Sequence, residues 1–194
     1  SIINYYYYNN ILELKDEFDI AIISTTADQR HKVIELILKI CKVNYWVLEK
    51  VLSQSNSDLE LIRSFLGNKK NTWVNTGRRV NDFYKNIKNE SFFIRKNSPY
   101  TIEIKGHNWG LACNGLHFID LISWLINSNL KTIDSSGLSN WVNSKRKGFK
   151  EVYGELNLLY DDDSNFKLIS DKGIPSNISI KIENHLGVCF INES

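Results

Sequence analysis

The sequence predicts an α/β unit built on a parallel sheet, followed by an α+β unit whose mostly antiparallel sheet is backed by one helix. Two observations carry this. Between residues 19 and 75, short β-branched runs alternate with two helical patterns, which is the arrangement of parallel βαβ units. Beyond about residue 80, one long apolar helical stretch precedes a series of strand-like segments. The chain has 194 residues, 42% of them hydrophobic, a size that holds one domain or two small ones. The expected division is 1–79 and 80–194.

The first strand reads as Asp19–Thr25, through Ile20, Ala21, Ile22 and Ile23. A nearly continuous apolar run of this length describes a strand buried on both faces. It ends in Ser24-Thr25-Thr26, hydroxyl residues suited to a helix N-cap. A helix is expected from about Gln29 to Cys41, with Val33, Ile34, Ile37, Leu38 and Cys41 on one face. Tyr45–Leu48 forms the second strand and ends at Glu49-Lys50. Ser57-x-x-Glu60 has the form of a capping box, opening a helix that Gly67 closes. Thr72–Asn75 is the third strand. Right-handed crossovers place the three strands side by side in order. A short helix is expected through Val80, Phe83, Tyr84 and Ile87. Tyr100–Lys105 alternates like a half-buried strand, and the strong helix runs from Leu111 to Ile126. Strands are then expected at Gly137–Val142, Lys150–Tyr160, Phe166–Ile169, Ile178–Glu183 and Gly187–Ile191, with a turn at Asp161–Asn165.

Composition narrows the function. A net charge of +2, with 24 basic and 22 acidic residues spread along the chain, does not point to nucleic acid. No apolar run approaches the roughly 18–20 residues of a membrane span, and no signal-peptide pattern opens the chain. The expectation is a cytoplasmic protein. Cys41, Cys113 and Cys189 are widely spaced and form neither a disulfide framework nor a C-x-x-C motif. Met is absent and Pro occurs twice, so a chain opening at Ser1 reads as processed or as a piece of something longer. Tyr5-Tyr6-Tyr7-Tyr8 has no interleaved basic residues and reads as strand or interface packing rather than a base-stacking platform.

In open α/β sheets, ligands bind beyond the carboxyl ends of the strands. Here those ends carry Ser24, Thr25 and Thr26, then Glu49 and Lys50, then Asn75 with Arg78 and Arg79. A second constellation lies on the long helix and the turn before it: Trp109, Gly110, Cys113, Asn114, Gly115, His117 and Asp120. Cys113 and His117 share a face at i, i+4, and Asp120 is placed to orient His117. Gly115 inside a helix implies a close approach by backbone or ligand. Each cluster also has a plain reading. Glu49-Lys50, Arg78-Arg79 and Lys145-Arg146-Lys147 can be solvated surface charges, and His117 a satisfied core histidine. Cys113 and His117 as a thiol–imidazole pair, or with His107 as metal ligands, are weaker alternatives, and no metal site is expected.

Taken in order, these motifs resemble the glucose–fructose oxidoreductase / inositol dehydrogenase (Gfo/Idh/MocA) family across nearly the whole chain. The family's Ile-x-Thr-Pro-Asn-x-x-His loop is similar to Ile23-Ser24-Thr25-Thr26-Ala27-Asp28-Gln29-Arg30, with Thr26 for Pro and Arg30 for His. Its Glu-Lys-Pro signature is similar to Glu49-Lys50-Val51. An Arg pair matches Arg78-Arg79. Its Asp-x-Gly-x-His motif, followed by Ile-Asp, matches Cys113-Asn114-Gly115-Leu116-His117, then Ile119-Asp120, with Cys113 at the acidic position.

The resemblance implies a partial Rossmann-like domain followed by a substrate and oligomerisation domain. It implies a nicotinamide-dependent oxidoreductase that moves hydride at a secondary hydroxyl or carbonyl carbon of a sugar or nucleotide-linked sugar. Lys50 and His117 take the catalytic places. Ser24, Thr25, Thr26, Glu49, Asn75 and Arg78 take the places that bind NAD or NADP. Lys50, Trp109, Asn114, His117 and Arg146 take those of the substrate site. The expected assembly is a homo-oligomer through the second sheet, without nucleic acid or membrane. No G-x-G-x-x-G occurs and the last strand ends the chain, so the expectation is a fragment lacking the family's N-terminal glycine-rich turn and its C-terminal end. The rival is a non-catalytic remnant or interaction module that has lost cofactor binding.

Overall fold

The computed structural model describes residues 7–14, 17–68, 70–94 and 98–193. The chain divides into two compact units, 1–75 and 76–194. The division falls between Asn75 and Thr76, so Arg78 and Arg79 belong to the second unit.

The first unit is a three-stranded parallel sheet with two helices. Its elements are β1 (Glu17–Ile23), α1 (Arg30–Ile40), β2 (Lys42–Glu49), α2 (Asn56–Leu66) and β3 (Thr72–Asn75). The sheet order is β1-β2-β3, with Ile23 opposite Leu48 and Glu49 opposite Asn75 at the carboxyl ends. Ile23, Trp46 and Leu48 point to one face and meet Ile34 and Ile37 of α1 and Ile62 and Leu66 of α2. Two local expectations change. The hydroxyls of Ser24–Thr26 do not cap α1, whose N-cap is Gln29 without a side-chain cap. The chain first makes a turn in which Gln29 N–H donates to Thr26 O (3.1 Å). Helix α2 is capped by Ser55, whose extended backbone lets its hydroxyl accept Asp58 N–H at 3.1 Å. Ser57 already lies in the first turn, so the Ser57–Glu60 box does not form.

The second unit begins with a 3-10 turn at Gly77–Val80, followed by α3 (Asp82–Lys88), α4 (Ser91–Ile94), β4 (Thr101–His107) and α5 (Leu111–Ile126). Then come β5 (Leu130–Asp134), β6 (Val142–Asn143), β7 (Lys150–Glu151), β8 (Gly154–Tyr160), β9 (Asn165–Asp171), β10 (Ile178–Asn184) and β11 (Gly187–Glu193). Six strands form one sheet in the order β11-β10-β4-β9-β8-β5, while β6 and β7 make a separate hairpin. Only β4 and β9 pair in parallel. Ile102, Ile104, Leu158, Phe166, Leu168, Ile180 and Ile182 face Phe118, Leu121, Ile122 and Leu125 of α5 in one core.

The strand expected at Gly137–Val142 is replaced by β5, an edge strand whose residues are mostly exposed. An edge strand with both faces in water carries little apolar pattern to read. Leu138 makes only an isolated bridge to Gly154. The run 150–160 is broken in two before Gly154, whose φ of +109° turns the chain and where a Cβ would collide with Gly137 O. Tyr5 and Tyr6 lie outside the described residues. Tyr7 and Tyr8 are exposed and belong to neither a helix nor a strand.

Candidate functional site

The rim of the first sheet is cross-tied by two side chains that bracket Lys50. Glu49 closes β2, and its carboxylate accepts the Lys50 main-chain N–H (3.1 Å) and the Asn75 amide (2.9 Å). This joins the ends of β2 and β3. On the other side, the buried Arg30 donates to the carbonyls of Thr25, Val51 and Leu52. Lys50 itself sits one residue past β2, half-buried, and the Lys50–Val51 peptide is cis. Ser24 is exposed just past β1, Thr26 turns the chain into α1, and Thr25 Oγ1 is buried without a hydrogen-bond partner.

The second unit builds its own cluster at the start of α5. Gly110, in the left-handed region at φ +80°, leads into the helix without a side-chain cap. The cap comes from Glu151 on β7, whose carboxylate accepts Ala112 N–H (2.7 Å) and Val152 N–H (3.0 Å). An anion at a helix N-terminus is favoured by the unpaired amides and the helix dipole. Asn114 donates to Trp109 O (2.8 Å). Trp109 is buried edge-on to Phe118, and its indole N–H donates to Ile169 O (2.8 Å). His117 is half-buried on α5, and Cys113 is exposed and in no disulfide. Arg146 is exposed in the β6–β7 loop, its guanidinium 4.4 Å from the Phe149 ring centre. Glu151 thus anchors the Arg146 hairpin to the helix that carries Asn114 and His117.

The two arginines after β3 are engaged. Arg78 donates from Nε (3.0 Å) and Nη2 (2.5 Å) to Glu193 and lies 4.1 Å from the Phe118 ring centre. The Tyr84 hydroxyl joins the same carboxylate. Burial, then the Glu193 contact, raises the Tyr84 phenol above its ordinary range. Arg79 pairs with Asp120 at 3.3 Å, so the carboxylate expected to orient His117 is held by an arginine. Among the described residues, no group of three His, Cys, Asp or Glu side chains is placed to hold a metal.

Sequence reading missed Arg30 and Glu151 as site-building residues. Arg30 had a signal: it stands on the α1 face that buries Ile34 and Ile37, where a charge is out of pattern. Glu151 had almost none, because it acts 39 residues away from Ala112.

The fold is that of solved dehydrogenases. It is similar to myo-inositol 2-dehydrogenase from Lactobacillus plantarum, with a TM-score of 0.68 and 14% identity over 95% of this chain and 61% of that one. It is also similar to apo scyllo-inositol dehydrogenase from Lactobacillus casei, at 0.64 and 16% over 89% and 56%. A probable dehydrogenase from Thermotoga maritima matches at 0.67 and 12% over 90% and 57%. At these identities the likeness is one of fold, and the chain spans a little over half the length of those structures. It is the fold that the motif resemblance implies: a Rossmann-type parallel sheet followed by a mixed, mostly antiparallel sheet. No protein-family profile and no curated protein matches the sequence. No helix among the described residues is long and apolar enough to cross a membrane.

The rim residues differ in the hydrogen-bonding capacity they leave open. The orphaned Thr25 hydroxyl and the exposed Ser24 leave hydrogen-bonding capacity beside Lys50. Glu49, Asn75 and Arg78 spend theirs on protein partners. A pyrophosphate needs a glycine-rich turn at a helix N-terminus, and the 194 residues contain no such turn.

Proposed function

We propose that this chain is part of a nicotinamide-dependent oxidoreductase acting on a sugar or nucleotide-linked sugar. The observation that carries the reading is the position of Lys50: at the carboxyl end of the middle strand of a parallel sheet, in a fold shared with inositol dehydrogenases. Two solved Lactobacillus casei relatives in that fold hold NAD(H) with myo-inositol or scyllo-inositol. A bound nicotinamide supplies the hydride acceptor. The chain's own residues supply the rest. One group, Lys50 or His117, takes the single hydroxyl proton as the carbon loses hydride and becomes a carbonyl, and Asn114 and Arg146 are the candidate substrate contacts. Ser24 and Thr25, at the end of β1, are the rim residues that would hold part of the cofactor. The expected setting is cytoplasmic, and the expected cofactor NAD or NADP.

Lys50→Ala tests this. In the protein that carries the complete cofactor site, turnover falls by roughly 10²–10⁴-fold, the range for proton-transfer catalysis, while cofactor affinity changes little. Turnover near wild type removes Lys50 from the chemistry. Cys113→Ser leaves turnover intact under this reading and abolishes it if the thiol is the nucleophile.

A second reading is an interaction module of the same fold without catalysis. It is favoured by the mutual engagement of Glu49 with Asn75. The 194 residues alone are expected to bind NAD or NADP negligibly under either reading, so calorimetric titration of the full-length protein that contains them separates the two: the oxidoreductase binds one of the cofactors, the interaction module neither.

A further inference from the structure

We propose that Arg30 is the positioning residue for Lys50: its buried guanidinium holds the two rim loops of the first sheet together by hydrogen bonds to main-chain carbonyls. The proposal rests on the reading of Lys50 as a catalytic group.

The strand ladder that joins β1 to β2 ends at Ile23 and Leu48. Beyond it, the loop bearing Ser24–Thr26 and the loop bearing Lys50 have no ladder between them. Arg30 replaces it. Nη2 reaches Thr25 O on the first loop, and Nη1 reaches Val51 O and Leu52 O (3.1 Å for the latter) on the second. The side chain is 2% exposed, and among the described residues no carboxylate forms an ion pair with it. Burying a cation this way costs several kcal/mol by general experience, and an apolar residue of similar volume is often as stabilising or more so. What an apolar residue cannot do is satisfy three carbonyls turned inward from two loops. A planar guanidinium with five donors can. An imidazole has two donors at most, and an ammonium lacks the fork. Burial lowers the Arg30 pKa from its ordinary value and Glu49 opposes that, so the carboxylate that ties Lys50 N–H to β3 also supports the cation on its other side. Val51 and Leu52 immediately follow Lys50, so with Glu49 on one side and Arg30 on the other, the Lys50 main chain is fixed at both ends.

Hydrogen exchange of the wild-type chain, Arg30→Met and Arg30→Lys tests this, together with amine acylation mapped by mass spectrometry. In Arg30→Met, amides at 24–28 and 50–54 exchange about tenfold faster, the size of one net hydrogen bond lost. Exchange at Ile34–Ile37 and Trp46–Leu48 stays at the wild-type rate. The acylation rate of Lys50 changes several-fold while that of exposed Lys42 does not. Millimolar guanidinium restores both readouts. Unchanged exchange in both loops, or a uniform rise through the first unit, overturns the proposal. Should Arg30→Met fail to fold, Arg30→Lys decides: intermediate exchange confined to the two loops supports the tie, and wild-type exchange there refutes it. None of these readouts needs turnover, so the proposal and the catalytic reading of Lys50, tested by Lys50→Ala, fail separately.

Discussion

The two sheets treat the face turned away from their helices in opposite ways. In the second unit, β4, β9 and β10 alternate strictly. Ile102, Ile104, Phe166, Leu168, Ile180 and Ile182 are buried, while Lys167 pairs with Glu155 (2.9 Å), Lys105 with Asp171 (3.5 Å) and Lys181 with Glu183 (2.7 Å) on the other side. The edge strands depart, with Ile133 of β5 and Val188 and Phe190 of β11 exposed. In the first unit, the face opposite α1 and α2 carries Ile20, Ile22, Tyr45 and Trp73, which are 58%, 70%, 43% and 49% exposed. Tyr45 and Trp73 stack on each other at 6.0 Å. One outward face is made of charges that water solvates well. The other is apolar and has no helix over it among the described residues. A strand that reads as apolar on both faces is built to be covered on both; the alternating strands of the second unit are built for one dry face and one wet one.

Stability measurements give the sharpest contrast. Leu168→Ala, on the buried face of β9, is expected to cost about 2–5 kcal/mol in urea unfolding, as large-to-small core changes do. Ile22→Ala, an equally apolar residue on the outward face of β1, is expected to change stability by under about 0.5 kcal/mol at chain concentrations too low for self-association. Equal losses at the two positions would show that the first face is covered in solution.

The next effect is alkaline. Burial pushes the Tyr160 phenol up from 10.0 to about 12, because the core favours the neutral form. Below pH 10 the phenol is neutral in both folded and unfolded chains, and its contribution is fully present. As pH rises from 10 to 12 the unfolded chain loses the proton first, so stability falls by about 2–3 kcal/mol. Tyr160→Phe flattens that part of the pH–stability curve, and a curve identical to wild type would show the phenol to be solvated.

Charge on the wet face matters less. Lys167→Met breaks the pair with Glu155 and is expected to cost about 0.2–1 kcal/mol, less at high salt, as exposed pairs do. The smallest change in stability comes with the largest change in association. At chain concentrations too low for self-association, Ile22→Lys leaves the unfolding midpoint nearly unmoved. Wild-type chain self-associates in sedimentation through a patch of several hundred Å², and Ile22→Lys restores the monomer. A wild-type chain that stays monomeric at tens of micromolar would break the comparison.

Much of this was legible in the residues themselves. The period of α5 set its bounds at Leu111 and Ile126, as observed, because an apolar stripe and the residues that end it lie within one element. The β-branched runs placed three parallel strands in order, since right-handed crossovers leave little choice. The position of Lys50 past the middle strand followed from the same two rules. Partners distant in sequence were not legible. Arg78 was expected at a cofactor from its place after the third strand, and nothing local marked that its fork would meet Glu193, 115 residues away. Glu151 caps a helix that begins 40 positions earlier, and Arg30 reaches carbonyls of a loop 21 residues on. A carbonyl or carboxylate carries no mark in sequence of the donor it will meet, because that partner is set by which surfaces pack. Local periodicity therefore determined the elements and their order, and tertiary packing alone decided which polar groups remain open to a ligand.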